Sequence, residues 1–209
     1  VVALMKKAGV NHLQIGLESG NQELLDAMNK QCTVDKNLIA IQMCRKHNIT
    51  SLVSLIVGFP GETAETIRET YEFMKKAKPD FHFLATFSVR VEDVPVLNVE
   101  NRQKFGLHTM KNPFTFAPYW KHNTMSCSEV GGHVRYLNEQ LCNEKISLDG
   151  SVFYTNISHY VPSYREDLLE FQFRAMNEHK MFRPLFDLAH HFIDKKLKKD
   201  VMNWEKDLN

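Results

Sequence analysis

The sequence of 209 residues lacks the features that mark several large classes of protein. It has no run of about 18 apolar residues, the length that a membrane-spanning helix needs. Its 26 Lys and Arg residues nearly balance its 25 Asp and Glu residues, so the composition offers no strongly basic surface for nucleic acid or anionic lipid. Lys6 and Lys7 interrupt the apolar start that a signal peptide would require. We therefore predict a cytoplasmic protein with no membrane partner and no nucleic-acid partner.

Cysteine is scarce, and the four cysteines are widely scattered: Cys32, Cys44, Cys127 and Cys142. No two of them form a C-x-x-C or C-x-x-x-C pair, so a metal site built from local sequence is not expected. Reduced, free thiols are the default interpretation in a cytosolic protein. The sequence therefore assigns no metal ligand.

The strongest local signal is an apolar segment that ends in a glycine-rich turn. Residues 51–57 are mostly apolar, as expected for a strand buried on both faces of a parallel sheet. Gly58 would let a ligand approach the backbone, and Pro60 and Gly61 suit the central positions of a type II turn. Thr63 is placed to cap the helix that follows. From these residues alone, a ligand site and an empty strand-to-helix turn are equally favoured.

Helical and strand patterns alternate over the first 90 residues. Strands are predicted at residues 10–17, 51–57 and 81–89, with helical segments between them, which is typical of a parallel α/β sheet. Three strands are too few to close a barrel, so at least one edge stays open. We expect the chain to self-associate through the edge near residues 10–17, unless the tail covers that edge.

The remainder of the chain has a different character. Residues 91–162 contain prolines, glycines and scattered aromatics, and we predict an irregular substrate-side or lid segment with one helix near residues 129–143. Residues 163–209 are predicted to form C-terminal helices. For Trp120 and His122, lining a substrate pocket stays open as an interpretation, but aromatic packing under a loop is favoured.

An acidic residue stands at the end of the first predicted strand. Glu18, Ser19 and Gly20 follow that strand, and the carboxyl ends of parallel strands meet at one edge of the sheet. A carboxylate in this position accepts hydrogen bonds from ribose hydroxyls in dinucleotide sites. Together with Gly58, it points to a pocket for an adenosine-like ligand. The alternative, in which Glu18 caps the next helix, is slightly favoured on local grounds.

Four segments, in their order and spacing, resemble the second half of the radical SAM core: Ala8-Gly9-Val10, Ile15 to Gly20, Met28-Asn29-Lys30 and Ile56 to Thr63. The resemblance is to the branch that contains cobalamin-binding radical SAM proteins and methylthiotransferases. It implies the second half of a partial (β/α)6 TIM-type barrel, with strands four to six in residues 1–90. A mostly α-helical C-terminal region would follow.

The resemblance also implies contacts with S-adenosylmethionine (SAM). Glu18 and Ser19 match the position that contacts the ribose of SAM. Ile56 and Gly58 match the strand-five motif, G-x-I-x-G-x-x-E, which packs on the adenine. The resemblance assigns no catalytic residue.

The sequence departs from the family pattern at several points. Ser54 replaces the first glycine of the strand-five motif, and Glu62 falls one place late, so the final Glu of the motif is not carried over. The backbone of residues 87–89 would lie at the adenine edge by position rather than by motif. Residues 90–93 replace the P-G-T turn found in many relatives, which puts the substrate side in doubt.

The family's C-x-x-x-C-x-x-C loop does not occur in this sequence. The resemblance therefore implies that the ligands of a [4Fe–4S] cluster lie outside this chain, in a missing N-terminal half of the same protein. In the family, the cluster and SAM generate a 5′-deoxyadenosyl radical for a radical-based modification, either an oxidoreductase reaction or a methyl or methylthio transfer. The fragment alone would be inactive. The alternative is a non-catalytic half-barrel that serves as a binding or interaction module. The substrate, whether small molecule or peptide, and the use of cobalamin are left open.

Overall fold

The computed structural model describes residues 1–89, 94–111 and 118–150, together with Lys195, Lys199 and Asn203. Contacts divide the chain into two compact units, Val1–Gly150 and Ser151–Asn209. The helices predicted for residues 163–209 fall outside the described residues, apart from those three positions. Within the described part of the chain, no helix combines the length and the apolar character needed to cross a membrane.

The first unit alternates helices and strands. Its helices are α1 (Val2–Lys7), α2 (Gln22–Ala27), α3 (Val34–Lys46), α4 (Ala64–Ala77), α5 (Val99–Phe105) and α6 (Cys127–Asn143), with a 3₁₀ helix at Pro95–Leu97. Its strands are β1 (His12–Glu18), β2 (Thr50–Val57), β3 (Phe81–Thr86), β4 (His108–Met110), β5 (Tyr119–His122), β6 (Met125–Ser126) and β7 (Leu148–Asp149).

Polar side chains cap three of the helices, and Thr63 does so at the position that the sequence predicts. The side chain of Asn21 accepts a hydrogen bond from the Leu24 amide at the start of α2, and Thr33 does the same at the start of α3. Thr63 forms a capping box with Thr66 at the start of α4. Each cap satisfies a backbone N–H that has no partner within its own helix, so these boundaries follow from local sequence.

The main sheet is parallel, in the order β1-β2-β3-β7. The prediction of three parallel strands is therefore one strand short. Leu148 pairs with Phe81, and the amide of Gly150 donates to the His82 carbonyl at 2.6 Å. A strand of two residues carries no alternation of apolar and polar residues, so the sequence pattern did not reveal β7.

The helices bury one face of the sheet. Successive side chains on β2 point to opposite faces, and Val53, Leu55 and Val57 belong to the hydrophobic core. Helices α3, α4 and α6 contribute their apolar stripes to the same core: Leu38, Ile41, Ile67, Met74, Leu137 and Leu141. The alternate residues Ser54 and Ile56 face the other way and are half-buried.

Residues after β3 are more regular than predicted. Strands β4, β5 and β6 form a small antiparallel sheet, which the sequence pattern did not predict. The helix predicted near residues 129–143 is confirmed as α6, which begins two residues earlier at Cys127 with a capping box between Ser126 and Glu129. This helix packs on α4 and on β3, so part of the predicted lid segment belongs to the core.

Candidate functional site

A pocket of about 370 Å³ lies at the carboxyl ends of β2 and β3. Ile56 stands opposite Ala85 in the register of the two strands, and both line the pocket. The wall is mainly apolar and consists of Ile56, Phe59, Ala85, Thr86, Phe87, Ser88, Val89, Val94 and Val96. The structure thus brings together Ile56 and residues 87–89, which the resemblance had placed near one another.

Glu18 ends β1 on the neighbouring strand. It adopts a left-handed backbone conformation (φ 64°) after an irregularity in the pairing between Gly16 and Glu18. Its Oε1 accepts a hydrogen bond from Lys30 Nζ at 2.8 Å, and the carboxylate lies over Gly16, where a Cβ would be only 2.5 Å from Oε1. The side chains of Glu18 and Lys30 are 19% and 32% exposed, so both are accessible from solvent.

Glu18 does not cap α2, because Asn21 occupies that role. The slightly favoured local interpretation of Glu18 is therefore wrong. Its partner Lys30 belongs to the Met28-Asn29-Lys30 segment, but the sequence gave no role to its side chain. The two charges are 12 residues apart in the sequence, so their contact forms only when the chain after α2 returns to the end of β1.

Ser19 lies inside the protein. It is 1% exposed, its hydroxyl accepts from the Asn21 amide at 3.1 Å, and it lies 3.3 Å from the Thr70 hydroxyl. Thr70 also accepts from the amide of Gly20 at 3.0 Å. These bonds attach the end of β1 to α4. A contact between Ser19 and the ribose of SAM stays a prediction.

The backbone of Gly58 is enclosed by side chains of the same chain. Its φ is 89°, and a Cβ at this position would lie 2.7 Å from the Trp120 ring and 2.8 Å from Val130. The amide of Gly58 donates to the Glu62 carboxylate, and its carbonyl accepts from His122 Nε2 at 3.2 Å. Trp120 rather than a ligand fills the space beside the Cα of Gly58. The expectation that a glycine here lets a ligand approach the backbone is therefore wrong. Participation of Gly58 in cofactor binding stays a prediction.

Glu62 is the functional candidate that the motif comparison set aside. Only 2% of its surface is exposed, and burial raises the pKa of its carboxyl to about 7, although the amides of Gly58 and Phe59 lower it. A buried carboxyl is stabilised only when it is hydrogen-bonded. Glu62, one place later than the Glu of the motif, thus bonds back to the start of its own turn. Its burial makes it a candidate, and burial could not be read from the sequence.

Trp120 and His122 pack behind the pocket rather than lining it. Both are 2% exposed, and their rings stack with centroids 5.3 Å apart and planes within 1°. Trp120 Nε1 donates to the Phe87 carbonyl at 2.8 Å. The favoured interpretation, aromatic packing, agrees with this geometry.

The cysteines do not fit an iron–sulfur cluster. Cys44 and Cys142 are buried, and burial raises the pKa of the thiols of Cys44, Cys127 and Cys142, whereas a cluster is bound by thiolates. Among the described residues, no group of three or more His, Cys, Asp or Glu side chains is placed to hold a metal ion.

Comparisons with known proteins identify relatives of part of the chain. Over 80 residues it is 39% identical to an anaerobic magnesium-protoporphyrin IX monomethyl ester cyclase from Rubrivivax gelatinosus, a match that covers 38% of this chain and 14% of that protein. Over 93 residues it is 30% identical to a tRNA-2-methylthio-N(6)-dimethylallyladenosine synthase from Alkaliphilus oremlandii, covering 44% of this chain and 20% of the relative. The chain therefore spans at most about a fifth of the length of these two curated relatives.

Two solved structures are also similar. One is the radical S-adenosylmethionine methyltransferase TsrM from Kitasatospora setae, with cobalamin and a [4Fe–4S] cluster bound, at 20% identity, a TM-score of 0.45 and coverage of 54% of this chain and 23% of that chain. The other is coproporphyrinogen III oxidase from Escherichia coli, at 16% identity, a TM-score of 0.49 and coverage of 68% and 29%.

The family model described as the Radical SAM superfamily matches residues 1–74. This match contains β1, β2 and the turn from Gly58 to Glu62, and the matching curated relatives named above are enzymes. Over residues 1–74, the family that this chain resembles is therefore the Radical SAM superfamily.

Proposed function

We propose that this chain is the SAM-binding C-terminal portion of a radical SAM iron–sulfur enzyme. The observation that carries the proposal is the pocket of about 370 Å³ in which Ile56 faces residues 85–89. Its volume lies in the range of small-molecule sites, roughly 300–1,000 Å³. It also lies at the carboxyl ends of parallel strands, where α/β proteins bind their ligands.

The adenine of SAM would occupy this pocket. Ile56 and Phe59 offer apolar surface to a flat base, and the ends of β2 and β3 provide the wall behind it. Thr86 and Ser88 also line the pocket and bring polar groups beside this apolar surface. A few polar groups in an apolar pocket are the usual means of orienting a ligand.

The ribose would contact Glu18. Glu18 pairs with Leu55, the residue before Ile56, so its carboxylate begins one strand away from the adenine wall, about 5 Å in the sheet. An ionised carboxylate has about four acceptor positions, so Glu18 can hold Lys30 and accept from ribose hydroxyls together. Lys30 then fixes the carboxylate in place.

In the complete enzyme, a preceding segment with C-x-x-x-C-x-x-C would hold the [4Fe–4S] cluster, since the described cysteines do not fit one. Bound SAM supplies the adenosyl group for a radical-based modification of a substrate that these residues do not identify. Cobalamin is a further cofactor to test, because the resemblance is to a branch that uses it. The alternative, a non-catalytic half-barrel, is not favoured, because matching relatives are a cyclase and a synthase.

Substitution of Glu18 tests the ribose contact. In the complete enzyme, we expect Glu18→Ala to weaken SAM binding by roughly 10-fold or more, because a hydrogen bond to a charged group contributes about 1.5–3 kcal/mol. Glu23→Ala, which removes an exposed acid from α2, is the matched control and should bind SAM as the wild type does. Calorimetric titration measures both, and unchanged affinity in Glu18→Ala would contradict the ribose role.

Ile56→Ala provides the corresponding test of the adenine wall. We expect weaker binding of both SAM and adenosine, because the substitution removes apolar surface from the pocket. The cluster assignment is tested separately, by the sequence that precedes Val1 in the complete protein. If that sequence lacked C-x-x-x-C-x-x-C, the catalytic proposal would fail, while the binding measurements would still report on the pocket.

A further inference from the structure

Two buried side chains outside the matched residues 1–74 hold both strand ends that form the pocket. Trp120 Nε1 donates to the carbonyl of Phe87, at the end of β3. His122 Nε2 lies 3.2 Å from the carbonyl of Gly58, at the end of β2. Because Trp120 and His122 belong to the same short strand and their rings stack, these two hydrogen bonds link the ends of β2 and β3 through one rigid unit.

The partners of His122 determine its protonation. The Gly58 carbonyl can only accept, so Nε2 carries the hydrogen, and the Thr124 amide can only donate, so Nδ1 is bare. The Thr124 hydroxyl, 3.0 Å from Nδ1, can donate to the same nitrogen. Burial lowers the pKa of His122, in keeping with the neutral ring that these partners require.

The peptide groups at Gly58 are held from several directions. Glu62 accepts from the amide, His122 donates to the carbonyl, and the Trp120 ring fills the space beside the Cα. The next residue, Phe59, lines the pocket, so the orientation of this backbone decides where that ring lies. Phe59 in turn packs edge-on against Phe87, with centroids 5.6 Å apart.

Phe87, at the end of β3, is held in place in a similar way. Its carbonyl accepts from Trp120, and its ring meets the Trp120 ring edge-on at a centroid distance of 5.3 Å. Its own amide donates to the Val57 carbonyl at 2.7 Å, which continues the pairing of β2 and β3 up to the pocket. Backbone and ring of Phe87 are thus fixed by the same residue.

We propose that Trp120 and His122 are positioning residues for the adenosine pocket, which they serve by fixing the spacing between the Gly58–Phe59 turn and Phe87. The inference rests on the proposed function, because it takes the ligand to be the adenosyl group of SAM. Neither side chain touches the ligand. They act through Phe59 and Phe87, which do line the pocket.

Substitution of His122 by Phe isolates its hydrogen bond to Gly58. Phe retains an aromatic ring to stack on Trp120 but cannot donate to the carbonyl. We expect affinity for S-adenosylhomocysteine, measured by calorimetry on the complete enzyme, to fall by roughly 10-fold, because the arrangement of Phe59 and Phe87 that binds the ligand would then be populated only about a tenth of the time. His122→Gln, whose side-chain amide can donate from a similar position, should recover most of the affinity.

His82 provides a matched control in the same sheet. It is also a fully buried histidine, bonded through Nε2 to Asn138 Oδ1 at 2.7 Å, but it faces the helices and does not line the pocket. His82→Phe should lower the free energy of unfolding and leave the affinity within about twofold of wild type. A merely structural role for His122 would instead give both variants the same ratio of lost affinity to lost stability.

Hydrogen exchange provides a second readout that needs no ligand. We expect amides in residues 57–62 and 87–89 to exchange faster in His122→Phe and in Trp120→Phe than in the wild type, but not in His82→Phe. Unchanged exchange in both segments, or unchanged affinity in His122→Phe while Glu18→Ala weakens binding, would overturn this inference alone. If the wild-type enzyme bound neither SAM nor S-adenosylhomocysteine, the proposed function would fall and this inference with it.

Discussion

Individual residues near the end of β2 have protonation states and backbone conformations that local sequence does not explain. Glu62 is the clearest case, since its carboxyl is buried with a pKa of about 7 and accepts from the Gly58 amide. His122, which donates to the Gly58 carbonyl, is buried as a neutral ring with a lowered pKa. The carboxyl of Glu62 titrates near neutral pH, so the turn that it closes should respond to pH.

The pKa of Glu62 predicts how stability depends on pH. Because the folded-state pKa is raised from 4.5 to about 7, Glu62 stabilises the fold fully below pH 4.5, and this contribution is lost as the pH rises through 7. The loss is on the order of 3 kcal/mol. Glu62→Gln stays neutral, so we expect its free energy of unfolding, from urea titrations between pH 5 and 8, to fall less with pH than that of the wild type.

The titration of His122 does not obscure this comparison of wild type with Glu62→Gln. The lowered pKa of His122 means that its contribution is present above about pH 6.5 and is lost as the pH falls, the opposite sign, and it is retained in both proteins. Glu65→Gln, which changes an exposed acid on α4, is the control and should follow the wild-type curve. Parallel curves for wild type and Glu62→Gln would show that the carboxyl is not buried as described.

Alanine substitutions at Gly58 and Gly132 are expected to have opposite effects on the free energy of unfolding. Gly58→Ala places a methyl group 2.7 Å from the Trp120 ring at a positive φ, so we expect the free energy of unfolding to fall by about 3 kcal/mol. Gly132→Ala, on α6 with nothing within 4 Å of the new Cβ, should instead raise it by up to about 1 kcal/mol. Thermal and urea unfolding measure both, and equal effects would contradict the close contact between Gly58 and Trp120.

At the scale of elements, β1 is the first strand in the order of the described parallel sheet. In the described part of the chain, β1 pairs with β2 and with no other strand, whereas the far edge of β3 is occupied by β7. An edge strand presents backbone groups that can pair with another chain. Among the described strands, β1 is therefore an edge strand, and an open edge near residues 10–17 stays a prediction.

Self-association through β1 remains a prediction. We expect the 209-residue chain to form dimers or larger species with increasing concentration, measured by light scattering, because the edge of β1 can recruit a second copy. Gln14→Lys, which adds a charge to the edge strand, should shift the chain towards the monomer. A monomeric wild-type chain at all concentrations would indicate that another part of the chain covers this edge.

At the scale of the whole molecule, the main sheet depends on residues far from its first three strands. Helix α6 packs on α4 and β3, and β7 follows it within the unit Val1–Gly150. Leu141 and Leu148, each at most 1% exposed, are buried from this distant part of the chain. The unit that buries the core of the sheet therefore extends to residue 150.

Truncation tests this extent. A chain ending at Gly150 should retain a cooperative unfolding transition by circular dichroism, because it contains all the described pairings of the four parallel strands. A chain ending at Ile146 should unfold at a lower temperature, since it loses the pairing of β7 with β3 and the burial of Leu148. Identical transitions for the two chains would contradict a structural role for β7.

Local sequence determined much of the parallel α/β unit. The caps at Asn21, Thr33 and Thr63, the turn at Pro60-Gly61 and the three longer parallel strands follow from hydrogen bonds and apolar patterns within a few residues. Ile56 was placed by its motif alone and does line the pocket. These features are predictable because their physical causes lie close together in the chain.

Only the tertiary structure decided what surrounds the Gly58 turn. His122 reaches the Gly58 carbonyl across 64 residues, and Trp120 fills the space that the sequence had reserved for a ligand. Glu62 acquires its role through burial, and β7 is too short to show a pattern. Contacts between distant segments and the exclusion of water depend on how the chain packs, so local sequence identified the turn, and packing determined what holds it.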